Sequence, residues 1–268
     1  MHDAEVLDIM IAAALEAGAA AHQYFRGELH LARKQDNTPV TAADHAAEAI
    51  ILQRLGTAFD DIPIIAEEEV AAGRVPLIGD TFFLVDPLDG TREFVAGRPE
   101  YTVNIALVRG GAPRLGVVYA PATRVLYAGD AEQAQAFRTT AAPGAATATS
   151  ERHAVRVRRA PHQGLTVVAS RSHPNPKLNS YLRAYQVADT VSIGSSLKFC
   201  LVANGEADLY PRLGTTMEWD TAAGHAVLLA AGGIVVNADG APLRYGKAGF
   251  TNPWFIATSG FAPRPLSA

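Results

Sequence analysis

Asp86 and Asp89 stand three residues apart at the end of the apolar run Phe83-Leu84-Val85, and Gly90 and Thr91 follow directly. Two carboxylates, a flexible backbone step and a hydroxyl in so short a span are parts for holding a divalent cation beside a phosphate. Pro87 is expected to stop the strand and bend the chain, so that both side chains and the Leu88 carbonyl face one ion. Gly90 lets the backbone approach a phosphate closely. The N–H groups of Gly90 and Thr91 would point at an anionic oxygen if Arg92-Glu93-Phe94 continue as a helical turn. A turn with an acidic helix cap explains any one of these residues, but explains the whole run poorly.

Two further acidic places could converge on that loop. Ile64-Ile65-Ala66 runs into Glu67-Glu68-Glu69, and Trp219-Asp220 opens an apolar helical stretch. Glu67 is the member of its triplet placed to turn toward the site, with Glu68 behind it and Glu69 exposed. Asp220 in isolation reads as a helix N-cap. Hard oxygen donors of this kind suit Mg²⁺. Thr41-x-x-Asp44 admits two accounts. It is a variant capping box with Asp in the usual Glu or Gln place, or Asp44 bonds the Thr91 hydroxyl, which orients and deprotonates a water for attack on phosphorus.

The elements that must position these groups are partly legible. Asp3 can cap a helix with Leu7, Met10, Ile11, Ala14 and Leu15 on one face, running to about Phe25. A second helix starts near Thr41, carries Ala47, Ile50, Ile51 and Leu55, and is expected to stop at Gly56. Residues 62–66, 81–85, 102–108, 114–119 and 124–127 read as strands, punctuated by Gly110-Gly111 and Pro121-Ala122. The stretch 139–150 has low complexity and reads as an exposed connection. It divides an N-terminal α+β domain, 1–150, carrying most of the acids, from a C-terminal α/β domain, 151–268, carrying Asp220. In the second part 165–169, 186–191, 207–210, 233–236 and 255–258 read as strands, and 176–185, 195–204 and 221–231 as helices. There is no internal repeat.

Composition narrows the possibilities. The 268 residues are 49% apolar, as in an ordinary globular chain, and the net charge of -4 offers no basic excess for nucleic acid. Cys200, the only cysteine, sits in an apolar run, which excludes an internal disulfide and a thiolate metal site. The N-terminus is acidic, and no apolar run approaches the roughly 20 residues that span a bilayer. A cytoplasmic location is expected, and peripheral contact with the cytoplasmic side of the inner membrane stays compatible with it. The eight histidines show no compact ligand spacing and are expected at the surface or in packing. Arg156, Arg158 and Arg159 read as a solvated basic segment.

Taken together, Glu67-Glu68, Asp86-Pro87-Leu88-Asp89-Gly90-Thr91, Thr41-x-x-Asp44 and Trp219-Asp220-x-Ala222-Ala223-Gly224 resemble the inositol monophosphatase superfamily over nearly the whole chain. Within it, Gly194-Ser195-Ser196-Leu197-Lys198, Asp208-Leu209-Tyr210-Pro211-Arg212 and Glu218-Trp219-Asp220 are similar to the CysQ-type 3'(2'),5'-bisphosphate nucleotidases. One departure is Thr215, where that pattern commonly has proline after the glycine.

The resemblance implies an α/β fold, a layered α-β-α-β-α sandwich. It implies two or three Mg²⁺ ions held by Glu67, Asp86, the Leu88 carbonyl, Asp89 and Asp220, with Asp44, Thr91 and Glu67 as the catalytic set. Substrate contacts would come from Lys34, Gly194, Ser196, Lys198 and Arg212, while Glu67, Leu88, Asp89, Gly90, Thr91 and Asp220 meet the phosphate. The implied substrate is a small nucleotide bisphosphate. Adenosine 3',5'-bisphosphate would yield AMP and phosphate, removing a by-product of sulfate activation, with Li⁺ as an inhibitor. Three other readings are weighed. An inositol monophosphatase shares the catalytic centre but lacks the Ser196, Lys198 and Arg212 pattern. An aspartyl-phosphate enzyme resembles Asp-x-Asp, whereas two residues separate the acids here. A nonenzymatic metal-binding interaction protein requires neither the water-activating pair nor the glycine loop. Oligomeric state is not legible.

Overall fold

The computed structural model describes residues 2–25, 31–33, 39–147, 150–170 and 176–265. Helices α1 (Asp3–Tyr24) and α2 (Ala42–Ala58) pack together, and between them in sequence lies an antiparallel pair, β1 (Leu31–Arg33) with β2 (Pro39–Thr41). β3 (Ile64–Ala66) leads into α3 (Glu67–Ala71), and β4 (Thr81–Asp89) leads into α4 (Thr91–Val95). A meander follows: β5 (Thr102–Arg109), β6 (Ala112–Ala120), β7 (Val125–Asp130), β8 (Gln135–Thr140) and β9 (His153–Ala154). These seven strands form one sheet in chain order, β3 to β9, parallel only between β3 and β4.

The second sheet is built from β10 (Leu165–Ser170), then α5 (Pro176–Leu182), β11 (Val187–Ile193), α6 (Leu197–Ala203) and β12 (Leu209–Arg212). After β13 (Thr216–Met217) come α7 (Ala222–Ala230), β14 (Ile234–Asn237), β15 (Thr251–Asn252) and β16 (Phe255–Thr258). Its order is β11-β10-β12-β16-β14, and β13 pairs separately with β15.

Side-chain alternation explains why these elements stack as layers. On β4, Phe83 and Val85 face α1 and α2, whereas Phe82 and Leu84 face the opposite way, into a core shared with α6 and α7. Both faces of the strand are covered, so its sequence is a continuous apolar run. The far face of the second sheet packs Leu165, Val167, Leu209 and Ile256 against Tyr181 and Leu182 of α5. The result is the expected α-β-α-β-α sandwich. α7 lies so close to the first sheet that a Cβ on Gly116 of β6 would fall 2.3 Å from the Ala223 carbonyl oxygen. Only glycine admits that approach, which carries the start of α7, and Asp220 just before it, toward the end of β4.

Several local expectations are corrected. Asp3 is not the N-cap of α1: His2 holds that place, its N–H donating to the Glu5 carboxylate at 3.0 Å, while Asp3 pairs with Arg109 and Arg114. α2 runs through Gly56 to Ala58, since a glycine inside a helix costs only about 1 kcal/mol relative to alanine and does not by itself end it. Thr139 and Thr140 close β8 rather than opening a loop, and Thr139 is buried. Arg156 and Arg159 are exposed, as expected, while Arg158 is part-exposed and its guanidinium also grips the buried Asp208 carboxylate at 2.8 and 2.7 Å. Cys200 is buried, as expected, and burial pushes its thiol well above the usual range.

Candidate active site

The acid loop owes its geometry to a bulge. Asp86 stands opposite Asn104 and Asp89 opposite Thr102, so Pro87 and Leu88 together face the single residue Val103. In a regular strand, residues three apart point to opposite faces; the extra residue returns Asp89 to the face Asp86 occupies. The expectation that Pro87 ends the strand is therefore wrong in a useful way. β4 continues to Asp89, and the proline, lacking an N–H, sits where the ladder is already interrupted. The Leu88 N–H donates to Asp86 Oδ1 at 3.0 Å. Gly90 then takes a left-handed φ of 91°, where an added Cβ would also press the Glu100 carbonyl oxygen at 3.0 Å. α4 begins at once with Thr91, whose hydroxyl donates to the Leu88 carbonyl at 3.3 Å.

Glu67 opens α3 directly after β3, which runs parallel beside β4, so its side chain reaches the same cavity. Glu68 is buried behind it, and its N–H donates to Glu48 of α2 at 2.8 Å. Burial, then the charges of Glu68, Glu69 and Glu67, push the Glu48 carboxyl up to about 7, with the Glu68 amide opposing them. Glu69 turns outward to an ion pair with Arg74 at 2.6 Å.

The remaining wall comes from the second half of the chain. Asp220 precedes α7, and its Oδ2 accepts from the Met217 N–H at 2.8 Å. Ser196, just before α6, donates its hydroxyl to the Asp220 carbonyl at 2.6 Å and accepts from Asn104 Nδ2 at 3.1 Å. The buried Lys198 ammonium donates to the Ser195 carbonyl at 2.5 Å and lies 5.8 Å from the Tyr210 ring centroid. Burial brings Lys198 down to about 8, partly offset by Asp89. Arg212 donates to the Thr215 carbonyl at 3.1 Å, while its buried Nε has no partner among the described residues. Gly194 is buried against the Glu93 side chain.

These groups surround one cavity of about 300 Å³, lined by Glu67, Asp86, Leu88, Asp89, Gly90, Thr91 and Asp220 on one side and by Gly194, Ser196, Lys198 and Arg212 on the other. Burial and then the neighbouring acids raise Asp86 and Asp220 well above the carboxylate range. Asp89 is raised by burial as well, against the pull of Lys198, Ser196 and Asn104. Such a set is short of positive charge, and a divalent cation would relieve both the repulsion and the desolvation. As arranged, no three His, Cys, Asp or Glu side chains among the described residues are gathered tightly enough to hold an ion. The donor chemistry nevertheless fits Mg²⁺: all hard oxygens, with one oxygen of Asp86 and one of Asp220 already anchored by a backbone amide.

Of the residues singled out from sequence, Lys34 lies outside the described residues. Asp44 is buried in the first turn of α2, and its charge contributes to the raised Asp86. Sequence reasoning missed Asn104, Glu93 and Glu48. Glu93 and Glu48 carried a weak signal, each being an acidic residue that the helical spacing turns inward. Asn104, a polar residue inside a run of buried apolar positions, carried a stronger one.

A deep cavity walled by carboxylates where two sheets meet, with a glycine-hydroxyl loop at its edge, defines a phosphatase of the layered-sandwich class. The chain belongs to the inositol monophosphatase family, whose model matches residues 2–258. It is 46% identical over 248 residues to the 3'(2'),5'-bisphosphate nucleotidase CysQ of Salmonella typhimurium, covering 91% of this chain and 96% of that protein. Identity to the Buchnera aphidicola protein of the same name is 40% over 260 residues, 95% of this chain and 94% of that one. Among solved structures, CysQ from Bacteroides thetaiotaomicron superposes with a TM-score of 0.79 at 36% identity, covering 96% and 98% of the two chains. An inositol monophosphatase from Anabaena gives 0.75 at 29% identity, covering 97% and 92%.

Proposed function

We propose that this protein is a Mg²⁺-dependent phosphatase that hydrolyses adenosine 3',5'-bisphosphate to AMP and orthophosphate. The observation that carries the reading is the cavity's polarity: carboxylates on one wall, and on the other Lys198 and an Arg212 whose inner Nε is unpartnered among the described residues. A substrate with two separated phosphates meets both walls. The family generally works with Mg²⁺, and Glu67, Asp86, the Leu88 carbonyl, Asp89 and Asp220 would hold two or three such ions. When bound, Mg²⁺ supplies positive charge to the phosphoryl oxygens and makes hydroxide accessible near neutral pH.

The chain's own groups do the rest. The N–H groups of Gly90 and Thr91 orient the 3'-phosphate. Thr91 Oγ1 exchanges its long bond to the Leu88 carbonyl for one to Asp44, and takes a proton from the attacking water as Asp44 receives its own. Water oxygen bonds phosphorus in line, the bond to the ribose 3'-oxygen breaks, and that oxygen takes up a proton from solvent to leave as the hydroxyl of AMP. Arg212, Lys198 and Gly194, with Lys34, receive the nucleotide. Among the described residues no helix is long and apolar enough to cross a membrane; a cytoplasmic location in sulfate assimilation, with peripheral inner-membrane contact allowed, goes with this reading.

Phosphate release from adenosine 3',5'-bisphosphate and from myo-inositol 1-phosphate, with and without Mg²⁺, tests the assignment. The wild type is expected to prefer the nucleotide and to need Mg²⁺. Asp89→Asn is expected to lose more than about 100-fold in kcat, beyond the range of changes to groups that merely orient metal ligands. Faster release from the inositol phosphate would refute the substrate, and equal rates for wild type and Asp89→Asn would refute the site.

A further inference from the structure

Asn104 is completely buried on β5, directly across the ladder from Asp86. Its Nδ2 donates to Ser196 Oγ at 3.1 Å and reaches Asp89 Oδ2 at 3.4 Å. The amide orientation follows from chemistry, because an ionised Asp89 only accepts and so must face the nitrogen. Asn104 Oδ1 is then left without a partner among the described residues, a cost tolerated for the sake of the donor side. Ser196 is equally buried, and its hydroxyl donates to the Asp220 carbonyl at 2.6 Å. Ser196 also favours the charged form of Asp89, pulling its carboxyl down against the effect of burial. A hydroxyl has one proton, and here it goes to the Asp220 carbonyl.

We infer that Asn104 and Ser196 are a coupled pair of positioning residues, linking Asp89 on the first sheet to the Asp220 backbone in the second half, and that Ser196 serves there instead of contacting substrate. This rests on the reading of the acids as a Mg²⁺ site. One half of that site ends β4 of the first sheet and the other is the turn before α7, and the chain Asp89, Asn104, Ser196, Asp220 ties them directly. Removing either middle member lets the acids drift apart, which weakens the cation before it affects the nucleotide.

Calorimetric titration of MgCl₂ into substrate-free protein tests this, with kcat and KM for adenosine 3',5'-bisphosphate at saturating Mg²⁺ measured alongside. Asn104→Ala and Ser196→Ala are each expected to weaken Mg²⁺ binding about tenfold, and the double variant to be little worse than either, since one broken link suffices. KM is expected to move less than about twofold, and Ser196→Thr, which keeps the hydroxyl, to recover most of the affinity. Unchanged Mg²⁺ affinity with raised KM in Ser196→Ala would overturn the inference, as would losses that multiply in the double variant. If Asn104→Ala does not fold, the two Ser196 variants decide alone: loss in alanine with recovery in threonine supports the link, and no loss in either overturns it. A preference for myo-inositol 1-phosphate would defeat the proposed substrate without altering a titration that contains none.

Discussion

The strand end that carries Asp86 and Asp89 is shaped by backbone pairing, whereas the turn that carries Asp220 is shaped by side chains. The first two acids pair with β5 just beyond the point where the β3 pairing ends at Val85, and their common face follows from one bulge. Asp220 sits in a turn whose shape depends on a buried network. Glu218 accepts from the Gly246 and Lys247 N–H groups at 2.7 and 2.9 Å and from the Lys247 ammonium at 2.5 Å. Asn252 Nδ2 donates to the Met217 carbonyl at 2.8 Å and the Thr221 hydroxyl at 3.0 Å. One wall is thus specified by strand pairing, which many side chains can satisfy, and the other by a few polar groups that tolerate no loss.

The largest expected effect tests that contrast directly. Glu218→Ala strips a fully buried carboxylate from three donors, and breaking such a pair by removing one partner costs about 3–5 kcal/mol. Lys247 is partly exposed and can rehydrate, so the lower end is expected in urea denaturation. Mg²⁺ affinity should fall as Asp220 loosens. Loss of stability with the Mg²⁺ affinity intact would break the comparison, since it would leave the turn shaped without its network.

Next comes a pH effect on the same side. His225 of α7 is buried, its Nδ1 within 2.9 Å of the Tyr245 hydroxyl, and burial holds its pKa down at about 3. In the unfolded chain the imidazole titrates near 6.5, so between these values the unfolded state binds the proton and the folded state does not. Stability is therefore complete above about 6.5 and is lost as pH falls toward 3, by about 3 kcal/mol at pH 4. His225→Gln removes this component. Wild type and variant should differ in the slope of stability against pH below 6.5, and parallel slopes would refute the assignment.

The same contrast governs what could be read from sequence. The backbone-held wall was legible because its chemistry is contiguous: two acids, a glycine and a hydroxyl within six residues of an apolar strand end. Its one misreading, that Pro87 stops the strand, arose because a bulge is a property of the pairing partner as much as of the residues themselves. The side-chain-held wall was legible only as Asp220. Ser196 reaches Asn104 across 92 residues of chain, and Glu218 reaches Lys247 across 29. No local periodicity encodes such partners, so the resemblance to nucleotidases named Ser196 as a nucleotide contact and gave no sign of its bonds to Asn104 and Asp220. Asp3 failed for a related reason, since two arginines more than a hundred residues away outweighed the local cap.

Between the walls, Gly116→Ala asks how closely they must meet. The new methyl would overlap the Ala223 carbonyl at 2.3 Å, so α7 must shift away from β6. Overpacking of this kind costs about 1–3 kcal/mol. The shift also carries Asp220 outward while leaving the β4 ladder alone. Weaker Mg²⁺ binding with unchanged backbone protection of 82–86 in hydrogen exchange is the expected pattern. Equal loosening of both walls would show that they are one cooperative unit.

The smallest effect is expected at Thr215, the place where this chain departs from the nucleotidase pattern. Thr215 is exposed at the cavity edge, and its carbonyl receives the Arg212 guanidinium at 3.1 Å. Proline keeps a carbonyl and removes only an N–H and some freedom of the unfolded chain, so Thr215→Pro should change stability by less than about 1 kcal/mol, in the stabilising direction if its φ is accepted. Because Arg212 binds this carbonyl, a stiffer turn should narrow the positions its guanidinium can take. KM for adenosine 3',5'-bisphosphate should fall modestly while Mg²⁺ affinity stays constant. A change in Mg²⁺ affinity would instead tie this edge to the Asp220 network, and the side-chain-held wall would then extend to the substrate rim.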